Sequence, residues 1–173
     1  MGSFILRLPF FIHYIRFQMR RFLTTNWLTK AAIVLILTVI CAKICELKSW
    51  EKPEKVIASD VKGYYGYLPA LFINDDLKLK NQAPYILDGE TKVWVSVTPD
   101  GEKYIKFPPG MAILYSPFFA IGHDSALSSD EPANGYSEPY RFWLVLGSLF
   151  YTCLGLFFIT QLLLRHFSDH VTA

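Results

Sequence analysis

The chain has 173 residues, of which 52% are hydrophobic and 16% aromatic. Only 18% are charged, against about 25% in typical globular chains. The net charge of +2 is unevenly placed: residues 1–30 carry Arg7, Arg16, Arg20, Arg21 and Lys30 and no acid, whereas residues 46–140 carry fourteen acids against nine lysines, a local charge of −5. Basic charge confined to one end of an apolar chain points to a membrane surface and excludes nucleic acid as a partner.

Residues 1–26 form a basic lead. Pro9 breaks its early part, and from Phe10 the pattern predicts a basic amphipathic helix on the cytoplasmic leaflet, read as a topology signal or an anionic-lipid anchor. Residues 27–47 are the first predicted transmembrane helix. Its apolar heart, Ala31 to Ala42, is short, so Lys30 and Lys43 must reach outward along their stems. The lead is long and aromatic, and no small-residue cleavage site follows, so the span is read as uncleaved.

Residues 48–139 form a large outer, periplasmic loop, too long and too aromatic for a connector. From Ser59 to Leu77, Tyr64, Tyr67, Leu68 and Leu71 recur at helical spacing, with Ser59 or Asp60 as cap. Gly63, Gly66 and Pro69 predict a kink, and Asp75-Asp76 a polar end. Residues 92–107 alternate Val93, Val95 and Val97 with other residues around Pro99-Asp100-Gly101, which predicts a β-hairpin. Pro108-Pro109 then opens an interfacial or re-entrant helix that Pro117 interrupts, and the stretch from Asp124 to Tyr140 reads as a loop.

Residues 140–165 are the second predicted transmembrane helix. Phe142 to Leu164 is a run of 23 residues without a formal charge, bracketed by Arg141 and Arg165, and about 20 apolar residues suffice to cross a bilayer. Residues 166–173 form a short tail. The basic lead places both termini in the cytoplasm, with Arg141 on the outer side against the rule; whether that outer side is a periplasm, as in a bacterial inner-membrane protein, or a lumen depends on the organism. The fold class is therefore a mainly α membrane protein: two transmembrane helices flank an outer loop carrying interfacial helices and one β-hairpin. Cys41, Cys45 and Cys153 all fall within the spans, offer no disulfide or zinc framework, and read as small packing residues.

Asp60 is the candidate catalytic residue, as general base or metal ligand, since it opens a surface helix ahead of several tyrosines. As a plain cap it would have no chemistry. Tyr64, Tyr65 and Tyr67 are candidates for lining a sugar or lipid-headgroup site, or simply interfacial aromatics. Asp75-Asp76 reads as a solvated helix end and His123 as a polar helix end. No P-loop, GxSxG, HExxH or CxxC motif is present.

The order SDVKGYYGYLPALF, KYIKFPPGMAILYSPFFAIGH, NGYSEPYRFWLVLGSLFY resembles the N-terminal portion of bacterial GT-C class membrane glycosyltransferases, such as protein mannosyltransferases and aminoarabinose transferases. The resemblance implies a polyprenyl-phosphate-sugar donor, an acidic residue of the first outer loop serving the active site (Asp60 by position, with Tyr64 and Tyr65 beside it), and a match of Lys106 to Ser116 to the family's loop helix start. Many relatives carry an Asp-Glu pair where this chain has Asp60-Val61, which leaves open whether a divalent metal is the cofactor. Such enzymes have many spans, so the resemblance also implies that these 173 residues are the leading part of a longer chain and do not turn over alone. The alternative from the residues themselves is a two-span scaffold subunit whose partners, besides membrane lipids, are other membrane helices seated on Gly147, Ser148 and Gly155. A third reading is a lipid-binding module acting through Arg16, Arg20 and Arg21.

Overall fold

The structure is a computed structural model describing residues 27–81, 83–87 and 89–166. The basic lead of residues 1–26 and the tail beyond 166, with their predicted helix and topology roles, lie outside the described residues. The chain divides into two compact units, residues 47–149 and the segments on either side of them.

In the flanking unit, helix α1 runs Trp27–Leu47, within the predicted span. Its large side chains stand exposed on several sides: Trp27, Val34, Leu35 and Val39 are all more than half accessible. It ends where Lys48 adopts a left-handed backbone, φ 44°, the usual geometry for stopping a helix although glycine is the usual residue. Helix α6 runs Glu138–His166 and begins two residues before the predicted span. Phe150, Phe158, Ile159 and Leu162 are likewise more than half exposed. Both helices are long and apolar enough to cross a membrane. The cysteines are free, and Cys41 and Cys45 are exposed.

The other unit is built on tyrosines. After a 3-10 turn at Ser49–Glu51 and the single-turn helix α2, Pro53–Val56, come α3, Asp60–Tyr65, and α4, Tyr67–Phe72. The helix expected over this region is thus broken into two at Gly66. Two small antiparallel hairpins follow. The first, β1 Ile86–Leu87 with β2 Glu90–Thr91, was not expected, although Asp88-Gly89 is a strong hairpin turn signal and Gly89 has φ +76°. The second, β3 Val95–Val97 with β4 Lys103–Ile105, pairs Val95 with Ile105 and Val97 with Lys103, inside the predicted 92–107 region.

Helix α5, Gly110–Leu127, corrects the expected interruption. It passes unbroken through Pro117 and absorbs Asp124 to Leu127, which were read as loop. Proline removes a backbone donor and leaves the carbonyl four residues earlier without its partner. Here that carbonyl is Ile113, and the Ser116 hydroxyl donates to it at 2.8 Å. The neighbouring side chain thus supplies the bond that the helix loses.

The core of this unit joins Tyr65, Leu68, Tyr85, Val93, Ile105, Phe119, Tyr136, Tyr140 and Leu144. A Cβ at Gly63 would overlap the Phe107 ring, and one at Gly147 would crowd the Phe118 ring. Glycine at those positions lets each aromatic ring lie against a helix backbone. Gly63→Ala should therefore lower stability by about 1–3 kcal/mol through overpacking, measured by thermal melting. In a Phe107→Ala background the same glycine substitution should cost less, because the overlap is gone.

Candidate functional site

The candidate residues Asp60, Tyr64 and Tyr65 lie on α3 and Tyr67 opens α4, and the turn before α3 sets the direction of the first of them. Ala58 accepts a hydrogen bond from Val61 N–H at 3.0 Å and Ser59 from Lys62 N–H at 3.0 Å, which closes a tight turn. Ser59 sits at φ 44°, ψ −131°, a conformation that L-residues other than glycine adopt only under strain. Asp60 follows as the first residue of α3. Neither Ser59 nor Asp60 makes a side-chain cap bond, so the expected capping role is not performed. The Asp60 side chain is exposed, and among the described residues no hydrogen bond or ion pair engages its carboxylate. A strained turn presents an unengaged acid to solvent at the start of a helix.

The three tyrosines do different things. Tyr64 is half-buried and meets the edge of Phe107, with ring centroids 4.8 Å apart. Tyr65 is buried, and its hydroxyl donates to the Gly135 carbonyl at 2.5 Å. The single Tyr67 hydroxyl proton is donated to the Phe107 carbonyl at 2.6 Å and shared with that of Ile105 at 3.1 Å. Burial pushes the Tyr65 phenol well above its ordinary pKa, and that of Tyr67 upward too. Both stay protonated donors, braces for irregular backbone. Of the three, Tyr64 alone has a hydroxyl without a hydrogen bond among the described residues, and it stands one helical turn from Asp60. Trp94 lies across Phe107 at 5.7 Å, extending an aromatic surface of Tyr64, Phe107 and Trp94.

The resemblance-bearing segments therefore converge. Asp60 to Tyr65 and Phe107 to Pro109 are more than forty residues apart in sequence, yet Phe107 lies directly on Gly63 and Tyr64. No family model, curated protein or solved structure matches the chain.

A divalent cation needs several oxygen ligands. Among the described residues no group of three His, Cys, Asp or Glu side chains comes together. Asp75 and Asp76 belong to a turn: Asp76 accepts from Asn81 N–H at 2.9 Å, and that bond holds its carboxyl below the ordinary pKa. His123 is not an unengaged helix end. Its Nδ1 lies 2.6 Å from the Tyr140 hydroxyl, and its ring stacks on Phe119.

Sequence reasoning missed two buried cations, Lys92 and Arg141, which are 6% and 7% exposed. Arg141 Nε donates to Trp50 O at 2.6 Å and Nη1 to Tyr136 O at 2.5 Å. Lys92 Nζ lies 3.2 Å from a Glu90 carboxylate oxygen, which Lys62 Nζ also faces at 3.8 Å. The signal for Arg141 was its place immediately before the apolar run of residues 142–164.

The division of labour among the tyrosines is testable. Tyr65→Phe should cost about 1–2 kcal/mol in a denaturant titration, because it strands a buried carbonyl. Tyr64→Phe should change stability by less than about 0.5 kcal/mol.

Proposed function

We propose that this chain is an integral membrane protein, crossing the bilayer at α1 and α6, and forms the N-terminal part of a polyprenyl-phosphate-sugar-dependent glycosyltransferase. What supports the membrane reading is exposure. The core helix of a soluble protein buries its apolar surface, whereas Leu35, Val39, Phe150 and Phe158 face outward. The residues between the helices then form the outer domain, with the basic lead inside.

The observation that carries the glycosyltransferase reading is the meeting of the Asp60 and Phe107 segments described above. It assembles an unengaged carboxylate and an aromatic surface on one side of the outer domain. In the proposed reaction Asp60 takes the proton of an acceptor hydroxyl. The acceptor oxygen attacks the anomeric carbon of the sugar, the bond from that carbon to the lipid phosphate breaks, and the configuration inverts. The faces of Tyr64 and Trp94 position the sugar. Further spans of the whole enzyme would complete the donor site.

A second reading, a scaffold that packs on partner helices, is favoured by α6 at Gly155, where a Cβ would meet nothing within 4 Å. Gly147 does not serve it, being covered by the chain's own Phe118.

Three measurements decide between these. In a variant with Cys41, Cys45 and Cys153 replaced by Ser, a cysteine at Asp100 should react with an impermeant maleimide added outside intact cells. Protection there, with labelling only after lysis, removes the topology. Asp60→Asn in the natural gene's full product should reduce sugar transfer by about 10²–10⁴-fold, the usual contribution of a positioned base, with expression unchanged. Normal turnover removes the base assignment. Gly155→Leu should leave transfer intact under the enzyme reading and dissolve a complex under the scaffold reading.

A further inference from the structure

The outer domain holds a second site, apart from Asp60. A cleft of about 270 Å³ is lined by Lys92, Glu131, Asn134, Ser137, Glu138 and Arg141. Its volume lies below the roughly 300–1,000 Å³ of pockets for drug-sized ligands, so it suits a small headgroup rather than a whole sugar-lipid.

The lining is built to receive charge of both signs. Arg141 is held in place by two backbone carbonyls. A guanidinium has five N–H donors, and among the described residues only these two bonds are made, so further donors remain for a ligand. Lys92 supplies a second cation that is 6% exposed. Buried cations are costly unless paired, and among the described residues the ion pair at Lys92 is to Glu90, whose side chain is mostly exposed. The Ser137 hydroxyl is buried without a hydrogen-bond partner, and rotation about its χ1 would turn it toward a ligand. Against these stand two exposed carboxylates, Glu131 and Glu138. Two cations and two carboxylates repel neither a plain anion nor a plain cation decisively; they match a molecule carrying both charges.

We propose that this cleft binds the phosphoethanolamine headgroup of a membrane lipid, with the phosphate on Arg141 and Lys92 and the ammonium on Glu131 and Glu138. A primary ammonium donates hydrogen bonds to carboxylates. A quaternary ammonium donates none and is recognised instead by cages of several aromatic rings, whereas this lining has a single one, Tyr136. The depth is also right: Arg141 immediately precedes the 23-residue apolar run of α6, at the level where headgroups meet a span. This last argument rests on the membrane-spanning reading above; the charge pattern does not.

The test is native mass spectrometry of the full chain in mild detergent, with phosphatidylethanolamine, phosphatidylcholine and phosphatidylglycerol added separately. Wild type should retain one phosphatidylethanolamine in preference to the others. Lys92→Gln should weaken retention about tenfold, as expected for loss of one charge-assisted bond, and Lys92→Arg should restore it. The Glu131→Gln, Glu138→Gln double variant should lose the preference over phosphatidylglycerol. Thermal melting checks that each variant is folded. Equal retention of the three lipids, or unchanged retention in folded Lys92→Gln, overturns the site. Binding of free phosphoethanolamine without retention of the lipid overturns the lipid source and assigns the same chemistry to a soluble ester. Carbonate-resistant insertion together with no lipid preference overturns the cleft while leaving the membrane reading standing.

Discussion

The approach of Phe107 to Gly63 organises the unit of residues 47–149. Because Gly63 has no side chain, the Phe107 ring lies on the α3 backbone, with Tyr64 at its edge and Trp94 across it. That contact fixes the chain just after β4 and just before α5. The carbonyls of Ile105 and Phe107, which leave the hairpin without a continuing strand, are taken by Tyr67. One glycine and one tyrosine thus tie the helical pair α3–α4 to the β3–β4 hairpin. The hairpin by itself has three paired residues on each side, too few to stand alone in water.

Tyrosine is the residue that such a domain needs. Its regular elements are short and much of its backbone is irregular, so many carbonyls require partners from side chains. A tyrosine fills volume with its ring and delivers a donor at the far end. Tyr65 does this for Gly135, whose left-handed backbone, φ +87°, shapes the approach to α6. The aromatic richness that composition read as a ligand surface is, at Tyr65 and Tyr67, largely a scaffold. Tyr64 and Trp94 are the members whose faces remain partly open.

The parts legible in the sequence were those governed by one local rule. The apolar runs gave α1 and α6 nearly to the residue, and Pro99-Asp100-Gly101 gave the β3–β4 turn. What escaped depended on partners distant in sequence. Periodicity cannot foresee that Ser116 repairs the helix at Pro117, so α5 was read as interrupted. Nor can it tell which tyrosine in GYYGY is buried, since that depends on Gly135, seventy residues away. For the site, sequence could name Asp60 but not its condition. The strained Ser59 turn, and a carboxylate that neither caps nor pairs, are visible only in three dimensions.

Arg141 shows how a rule and its exception have separate causes. As a positive charge on the proposed outer side, it opposes the topology set by the basic lead. The rule concerns charges left free in short flanking segments. Arg141 is instead clamped by the carbonyls of Trp50 and Tyr136 and nearly removed from solvent. Its role is to join the exit of the first helix to the entrance of the last within residues 50–141. A guanidinium reaches two carbonyls at once because its donors fan out in a plane, whereas lysine offers one compact charge. Arg141→Lys should therefore be far from conservative. Losing the bonds to Trp50 and Tyr136 should lower the melting temperature of the folded chain, even though the net charge is unchanged.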